Sequence, residues 1–450
     1  MKPETVEIAK VMHRPMDSLS SAFHKTLMTT FGMTVISFLS SVATARILGP
    51  EERGLLSAAL MIATLSAGIA QMGLANAYVY FYGAARRFNY YKLLVRSLLV
   101  VAGIALLVGL GGLVLSAKPR LTEVWYLILL LCAGTGMQLY FSFLSQLKAD
   151  LGFYNNIRFA QVCANALLLI PIFYFYRQHI SYQPLLVAQS LVAVGLVCAG
   201  LLWARRHRIW ELTSAAASAT LTAAVTGREV ARYGLHQHGT VMLSLILLNF
   251  DKIVLMNRGS MEEYGYYAMA FTTSRLIGTI QEALSVALFA RFAGKDIAEL
   301  SAKVRTAFRI TFVPLLVLAG IGAALAPWLI VWVYGSKFAS MVLPFSILLF
   351  ECVIGGASWT LAQRFTAAGR PGLVLVRQFV SVLPVFVAMP FLPAQNIYIY
   401  LALLMLSGAI LRLSITLLMF PLSLKESMPQ LLPTRQDIKT IMNIRFNQKR

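Results

Sequence analysis

Charge is what this chain has least of. Asp, Glu, Lys and Arg make up 13% of its 450 residues, about half the share of an average soluble domain. Apolar runs of the length and number found here then exclude a string of soluble domains. Acids are scarcer still: 18 Asp and Glu against 39 Lys and Arg leave a formal charge of +21. Cysteine is rare, and Cys132, Cys163, Cys198 and Cys352 sit at irregular spacing inside apolar runs. Such cysteines read as small core residues, not as a disulfide frame or metal site. Also missing are a Walker A loop, an HExxH pair, a GxSxG elbow and any loop large enough for a soluble catalytic domain. The familiar nucleotide-hydrolysing and hydrolase chemistries therefore have no seat.

What the chain does have is hydrophobicity, with 58% apolar residues and a mean hydropathy of +0.71. A membrane span needs roughly 17 to 25 such residues. Twelve segments qualify: 26–45, 55–82, 93–116, 123–146, 157–176 and 183–204, then 233–256, 264–290, 310–334, 341–363, 371–393 and 396–420. Ala43-Thr44-Ala45 mimics a signal-peptide cleavage site, but its leader is long and carries acids, which favours a retained first span. The basic residues lie between these segments and form no soluble basic face, so nucleic acid is not an expected partner. With the N-terminus inside, only Arg46, Arg53, Lys118, Arg120, Arg177, Arg258 and Lys337 fall outside. Lys252, Arg275 and Arg412 lie deeper within spans, leaving 29 of the 39 bases for the inner side when those near the inner ends of spans are counted there. Positive residues concentrate on the cytoplasmic side, so both termini are expected there.

The expected fold is an all-α integral membrane protein of twelve transmembrane helices. Its parts are a cytoplasmic N-terminal segment (1–25), a six-helix lobe (26–204), a linker (205–232), a second six-helix lobe (233–420) and a basic tail (421–450). Thr434 and Asp437 are spaced as a capping box. The tail then reads either as a helix on the anionic inner leaflet or as a solvated end.

The halves repeat. Gln146, Gly152 and Gln161 have counterparts in Gln363, Gly369 and Gln378, all at an offset of 217 residues. Gly-Pro-Glu-Glu-Arg-Gly54 has a counterpart in Ser-Met-Glu-Glu-Tyr-Gly265 at an offset of 211. Six helices, an even number, separate equivalent points, which implies parallel repeats with a cleft between two lobes.

Several of these residues carry a resemblance to a known family. Ala45-Arg-Ile-Leu-Gly-Pro-Glu-Glu-Arg-Gly54 is similar to the A-R-x-L-G-P-x-x-x-G junction of polysaccharide flippases. Asp251-Lys252 with Tyr264-Gly-Tyr-Tyr-Ala268, the run from Ala283 to Arg291, Tyr334-Gly-Ser-Lys-Phe338 and the Gln363/Gly369 turn fit the same pattern. Over nearly its whole length the chain resembles the Wzx-type oligosaccharide flippases of the MOP superfamily, which also holds multidrug (MATE) exporters and lipid II flippases. The resemblance implies export of an undecaprenyl-pyrophosphate-linked glycan repeat unit across the bacterial inner membrane, for O-antigen, capsule or exopolysaccharide synthesis. Its partners would be that lipid-linked oligosaccharide, membrane lipids, and the polymerase and chain-length proteins of the pathway. It implies no catalytic residues and no cofactor.

Chemistry then has to come from polar residues inside spans. The polyprenyl tail can stay in lipid, whereas the pyrophosphate and sugars must cross roughly 30 Å of hydrocarbon. Charges within spans are functional candidates by default, and six qualify: Asp251, Lys252, Arg275, Glu282, Glu351 and Arg412. All lie in the second half. Arg275 reads either as a bidentate phosphate donor or as a structural pair with Glu282, seven residues on, or with Glu351. Glu351 reads as a coupling carboxylate or a structural one. Arg412 reads as a cavity base or one that snorkels to the inner interface. Asp251 and Lys252, being adjacent, are expected to diverge and to serve an outer gate or folding. The amides Gln71, Asn76, Gln146, Asn165, Gln363 and Gln378 are candidates for sugar hydroxyls. Tyrosines such as Tyr78, Tyr80, Tyr140, Tyr266 and Tyr267 read first as interfacial belt residues. His236 and His238 have no Cys or carboxylate beside them to build a metal site.

Energy for transport would come from an H+ or Na+ gradient, the membrane potential or downstream consumption of product. A MATE-like exporter of cationic drugs is the alternative within transport, although buried bases match the acids in number and suit an anion better. A membrane-embedded glycan polymerase or ligase is the alternative from another class, and it lacks the large outer loop such enzymes need.

Overall fold

The computed structural model describes residues 16–83, 90–147, 152–175, 181–207, 226–247, 249–292 and 297–433. Most of the expected linker 205–232, and the tail from Thr434 onward, lie outside the described residues. Each of the twelve predicted segments falls on helix, and no strand occurs among the described residues. The long helices are α1 (Met16–Ala70), α2 (Leu74–Gly83), α3 (Tyr90–Ser116), α4 (Trp125–Leu144), α5 (Gly152–Phe175) and α6 (Tyr182–Arg206). They continue as α7 (Gly227–Leu247), α8 (Phe250–Arg258), α9 (Met261–Phe292), α10 (Ile297–Tyr334), α11 (Val342–Ala367), α12 (Pro371–Ala388) and α13 (Ile397–Met419).

Helix α1 runs through the first two predicted segments with a break at their junction. Gly49 leaves helical space at φ 74°, ψ 177°, and Pro50 follows. Glycine tolerates positive φ and proline cannot donate the next helical bond, so the Gly-Pro pair turns the chain there. Nine stretches among the described residues are long and apolar enough to cross a membrane, one of them, Thr29–Phe81, covering the first two segments. The predicted segments that fall short, 233–256 and 264–290, are the ones holding Asp251, Lys252, Arg275 and Glu282.

The chain forms two compact units. One comprises Met1–Leu48 and Leu55–Asn249, the other Gly49–Gly54 and Phe250–Arg450. Helix α7 packs on α2 and groups with the first unit. There a Cβ on Gly73 would lie 2.4 Å from the Gly234 carbonyl oxygen, and the His238 ring meets the Ile69 carbonyl at 3.1 Å.

Each unit is organised around the fourth span of its half. In the first, α4 packs against α3 and α6 through small residues. A Cβ on Gly134 would sit 3.0 Å from that of Ala193, and one on Gly136 would sit 3.3 Å from that of Ala105. In the second, α11 packs against α9, α10 and α13. The repeat extends to hydrogen bonds. Gln71 Nε2 donates to the Gly136 carbonyl at 2.9 Å, and Gln281 Nε2 donates to the Val353 carbonyl at 3.1 Å. Gly136 and Val353 are 217 residues apart, the offset read from the sequence.

The paired junctions at Gly54 and Gly265 touch each other inside the second unit. A Cβ on Gly54 would lie 1.7 Å from Met261 O, and one on Gly265 would lie 2.0 Å from Pro50 O. Pro50 and Met261 are again 211 apart, so the contact is reciprocal. Because the obstacles are backbone atoms, neither side can yield by a rotamer change. Gly54→Ala should therefore destabilise the protein by roughly 3 kcal/mol or more. Gly103→Ala, where a Cβ meets nothing within 4 Å, should leave the melting temperature of the purified protein near the parent value. Equal melting of both variants would disprove the close contact.

Candidate functional site

The charges of the second unit converge on the middle of α11. Glu351 is 4% exposed in its side chain, and its Oε2 lies 2.6 Å from Arg275 Nη2 on α9. Arg412 Nη2, from α13, stands 4.0 Å from the other carboxylate oxygen. One carboxylate thus has one close and one distant arginine. The room for Arg412 comes from Gly355, one turn beyond Glu351, where a Cβ would press within 3.3 Å of Arg412 Nη2. On the neighbouring Gly356 a Cβ would strike Gln281 Oε1 at 2.1 Å. Two consecutive glycines in a spanning helix admit a polar side chain on each side.

Aromatic faces steady the cations. Arg275 Cζ lies 4.1 Å from the Phe271 ring centroid, one turn earlier on α9. Lys252 Nζ, from α8, lies 3.6 Å from the same centroid. A ring quadrupole attracts a desolvated cation by about 2 kcal/mol. Asp251 is buried, accepts from the Tyr267 hydroxyl at 2.6 Å and lies 3.7 Å from Lys252 Nζ.

Arg275, Glu351, Arg412, Lys252 and Asp251 therefore come together in one place. One open alternative is decided and one sequence expectation needs correction. Arg275 pairs with Glu351 and not with Glu282, which is exposed. Asp251 and Lys252 do not diverge, because the four-methylene lysine stem curls back so that its ammonium meets both the adjacent carboxylate and Phe271. The candidate amides lie elsewhere. Gln71 and Asn76 are in the first unit, Gln71 buried with its amide nitrogen tied to Ala67 and Gly136 carbonyls and Asn76 half-buried on α2. Gln363 donates to the Trp359 carbonyl of its own helix at 3.4 Å, twelve residues from Glu351. Of the tyrosines, Tyr78, Tyr140, Tyr266 and Tyr267 are buried in the packing and Tyr80 is exposed. All four cysteines are free, Cys132 and Cys352 buried.

Two features escaped the sequence. One is Arg377 on α12, 1% exposed, which is not among the candidates read from the sequence. The other is a knot where the chain leaves the last span. Glu426 Oε1 accepts from Arg364 Nη2 at 2.6 Å, and Oε2 accepts from Arg305 Nη2 at 2.8 Å and from the Ser301 hydroxyl. Burial pushes the Glu426 carboxyl up, but the Ser301 and arginine hydrogen bonds and the Arg364 charge outweigh it and hold the group below its usual range. This knot fastens residues 420–427 to α10 and α11.

The sequence profile of the polysaccharide biosynthesis protein family matches residues 23–293. No characterised protein matches the chain in sequence. Among solved structures, the chain is similar to an inward-facing multidrug-resistance MATE transporter of the MOP superfamily, at 15% identity and a TM-score of 0.63, covering 87% of this chain and 94% of that one. It is similar to the lipid II flippase MurJ in an inward closed conformation, at 11% identity and a TM-score of 0.66, covering 89% and 87%. An outward-facing MATE transporter matches at 14% identity and a TM-score of 0.53, covering 91% and 95%. At these identities the likeness is one of fold.

Proposed function

The chain belongs to the polysaccharide biosynthesis protein family, and from that premise we propose that it is a flippase for a lipid-linked oligosaccharide. Its cargo is a glycan repeat unit on undecaprenyl pyrophosphate. Its route is the bacterial inner membrane, with both termini in the cytoplasm, and its mode is alternating access between two lobes. The observation that carries this reading is the charge balance around Glu351. In the second unit Arg275, Arg412 and Lys252 gather round two carboxylates, an excess of positive charge inside a membrane protein. Among the described residues three bases thus face two acids, a balance that favours an anionic cargo over a cationic one. Arginine suits this anion because its planar fork meets phosphate oxygens bidentately.

Glu351 holds the site while cargo is absent. With 34% of its side chain exposed against 4% for Glu351, Arg275 is the accessible member of the pair. An arriving pyrophosphate competes for its guanidinium. Charge balance then calls for a proton or another cation at the released carboxylate, which ties cargo binding to an ion gradient without nucleotide hydrolysis. The sugars meet amides and aromatic faces elsewhere in the molecule.

A MATE-like export of cationic drugs is the second reading, favoured by the fold likeness and by the buried Asp251 and Glu351. Reconstitution separates the two. Proteoliposomes holding undecaprenyl-pyrophosphate-linked oligosaccharide should show protein-dependent appearance of the glycan at the opposite leaflet, read by a membrane-impermeant glycosidase. Ethidium uptake without glycan movement would overturn the flippase reading.

A further inference from the structure

Arg377 is a charge without an opposite. Its Nη1 donates to the Ser358 carbonyl at 2.9 Å, the Ser358 hydroxyl at 3.0 Å and the Thr416 hydroxyl at 3.1 Å, while its Nε has no acceptor. Among the described residues no carboxylate lies within ion-pair distance of it. If its task were only to join α11 to α13, an apolar or amide side chain would serve at lower cost, since burying a cation on neutral oxygens is expensive.

Its neighbours point to another task. Glu351, Gly355 and Ser358 fall at i, i+4 and i+7 on α11, one face of the helix. Arg412 and Thr416 fall one turn apart on α13. Arg377 and Arg412 therefore enter the same α11–α13 seam, Arg412 at the Glu351 end and Arg377 at the Ser358 end. Both hydroxyl hydrogens of that seam are committed. Thr416 donates to the Arg412 carbonyl at 2.6 Å, so Ser358 donates across the 2.9 Å contact to Thr416, and both accept from Arg377. Arg377 thus holds the polar end of the seam on three oxygens, and its like charge repels the Arg412 guanidinium.

Resting on the anion reading of this site, we propose that Arg377 is a positioning residue for Arg412. It occupies the inner seat of the seam, so Arg412 is held above Gly355, 4.0 Å from Glu351, as a second arm free to close on an anion. Arg275 makes the close contact with Glu351. Arg412 makes the distant one.

Two measurements test this on the purified full-length protein. The first is the affinity for inorganic pyrophosphate, by calorimetry. Arg377→Gln should weaken it about fivefold, roughly the loss of one favourable electrostatic contribution, and Arg377→Lys, which keeps the charge, should recover part of the loss. Gly355→Ala should weaken it comparably by pressing on Arg412 with every charge retained, and it guards against a folding defect in Arg377→Gln. Parental affinity in either Arg377→Gln or Gly355→Ala would overturn the proposal. The second is a thermal double-mutant cycle. Arg412→Gln should lower the melting temperature more in the Arg377→Gln background than in the parent, because in the parent its removal also relieves repulsion. Additive shifts would overturn the positioning role. Should the parent bind no pyrophosphate, the anion-site reading falls, and the cycle by itself still decides whether Arg377 positions Arg412.

Discussion

Arg275→Glu is expected to reduce glycan translocation by at least about a hundredfold, close to 3 kcal/mol of lost stabilisation along the transport cycle. The substitution sets a carboxylate against Glu351, which is 4% exposed and whose other ion-pair contact among the described residues is the distant Arg412 at 4.0 Å. Two facing buried carboxylates cannot both stay ionised, and the accessible phosphate donor is gone. A structural and a functional role for Arg275 separate on the second variant. Arg275→Glu combined with Glu351→Arg restores an ion pair between α9 and α11, so folding and melting temperature should return toward the parent. Translocation should not, because the guanidinium then starts from the helix whose side chain is almost fully buried. Reconstituted transport measured beside melting temperature decides it. Recovery of both in the charge swap would reduce Arg275 to a structural tie.

Much of this was legible in the chain itself. Apolar runs between basic clusters located the long spanning helices among the described residues, and the offset of 217 recurs between Gly136 and Val353, as that of 211 does between Pro50 and Met261. Inside the site the reading was coarser. Arg275 and Glu282 share a helix face, but seven residues advance about 10 Å along the axis, beyond a direct ion pair. That rise was computable from the sequence and argues for a partner on another helix. Arg377 was hidden for a different reason. A base six residues into a span resembles one that reaches back to the interface, and only the hydroxyls of Ser358 and Thr416, on two other helices, make burial tolerable. Gly355 gave no signal either, since a glycine in a spanning helix is ordinary until an arginine from a neighbour is seen to fill its space. The Glu426 knot joins residues 62 to 125 positions apart, distances over which an acid in a basic tail names no partner.

Glu351→Gln should give the opposite signature to Arg275→Glu at the binding step. The amide is nearly the size of the carboxylate and can still meet Arg275, so the packing of α9 on α11 should survive. Removing the negative charge leaves Arg275 and Arg412 without the group that competes with cargo. Pyrophosphate affinity should therefore rise, by about tenfold if the carboxylate withholds something over 1 kcal/mol from the incoming anion. Turnover should fall all the same, because nothing remains to take the arginine back and expel the head group on the far side. Tight binding without release lowers the apparent half-saturation concentration and the maximal rate together. The variant should also lose its response to an imposed pH gradient, since the carboxylate that Arg275 releases to the cargo is gone. Glu282→Gln is the control. Its carboxylate is exposed and lies seven residues from Arg275, and it should leave affinity, rate and gradient response near those of the parent. The measurement is glycan flipping in vesicles under an imposed pH gradient. If the parent follows the gradient and Glu351→Gln follows it equally, the Arg275–Glu351 pair is a fixed strut, and the ion that drives transport is taken up elsewhere.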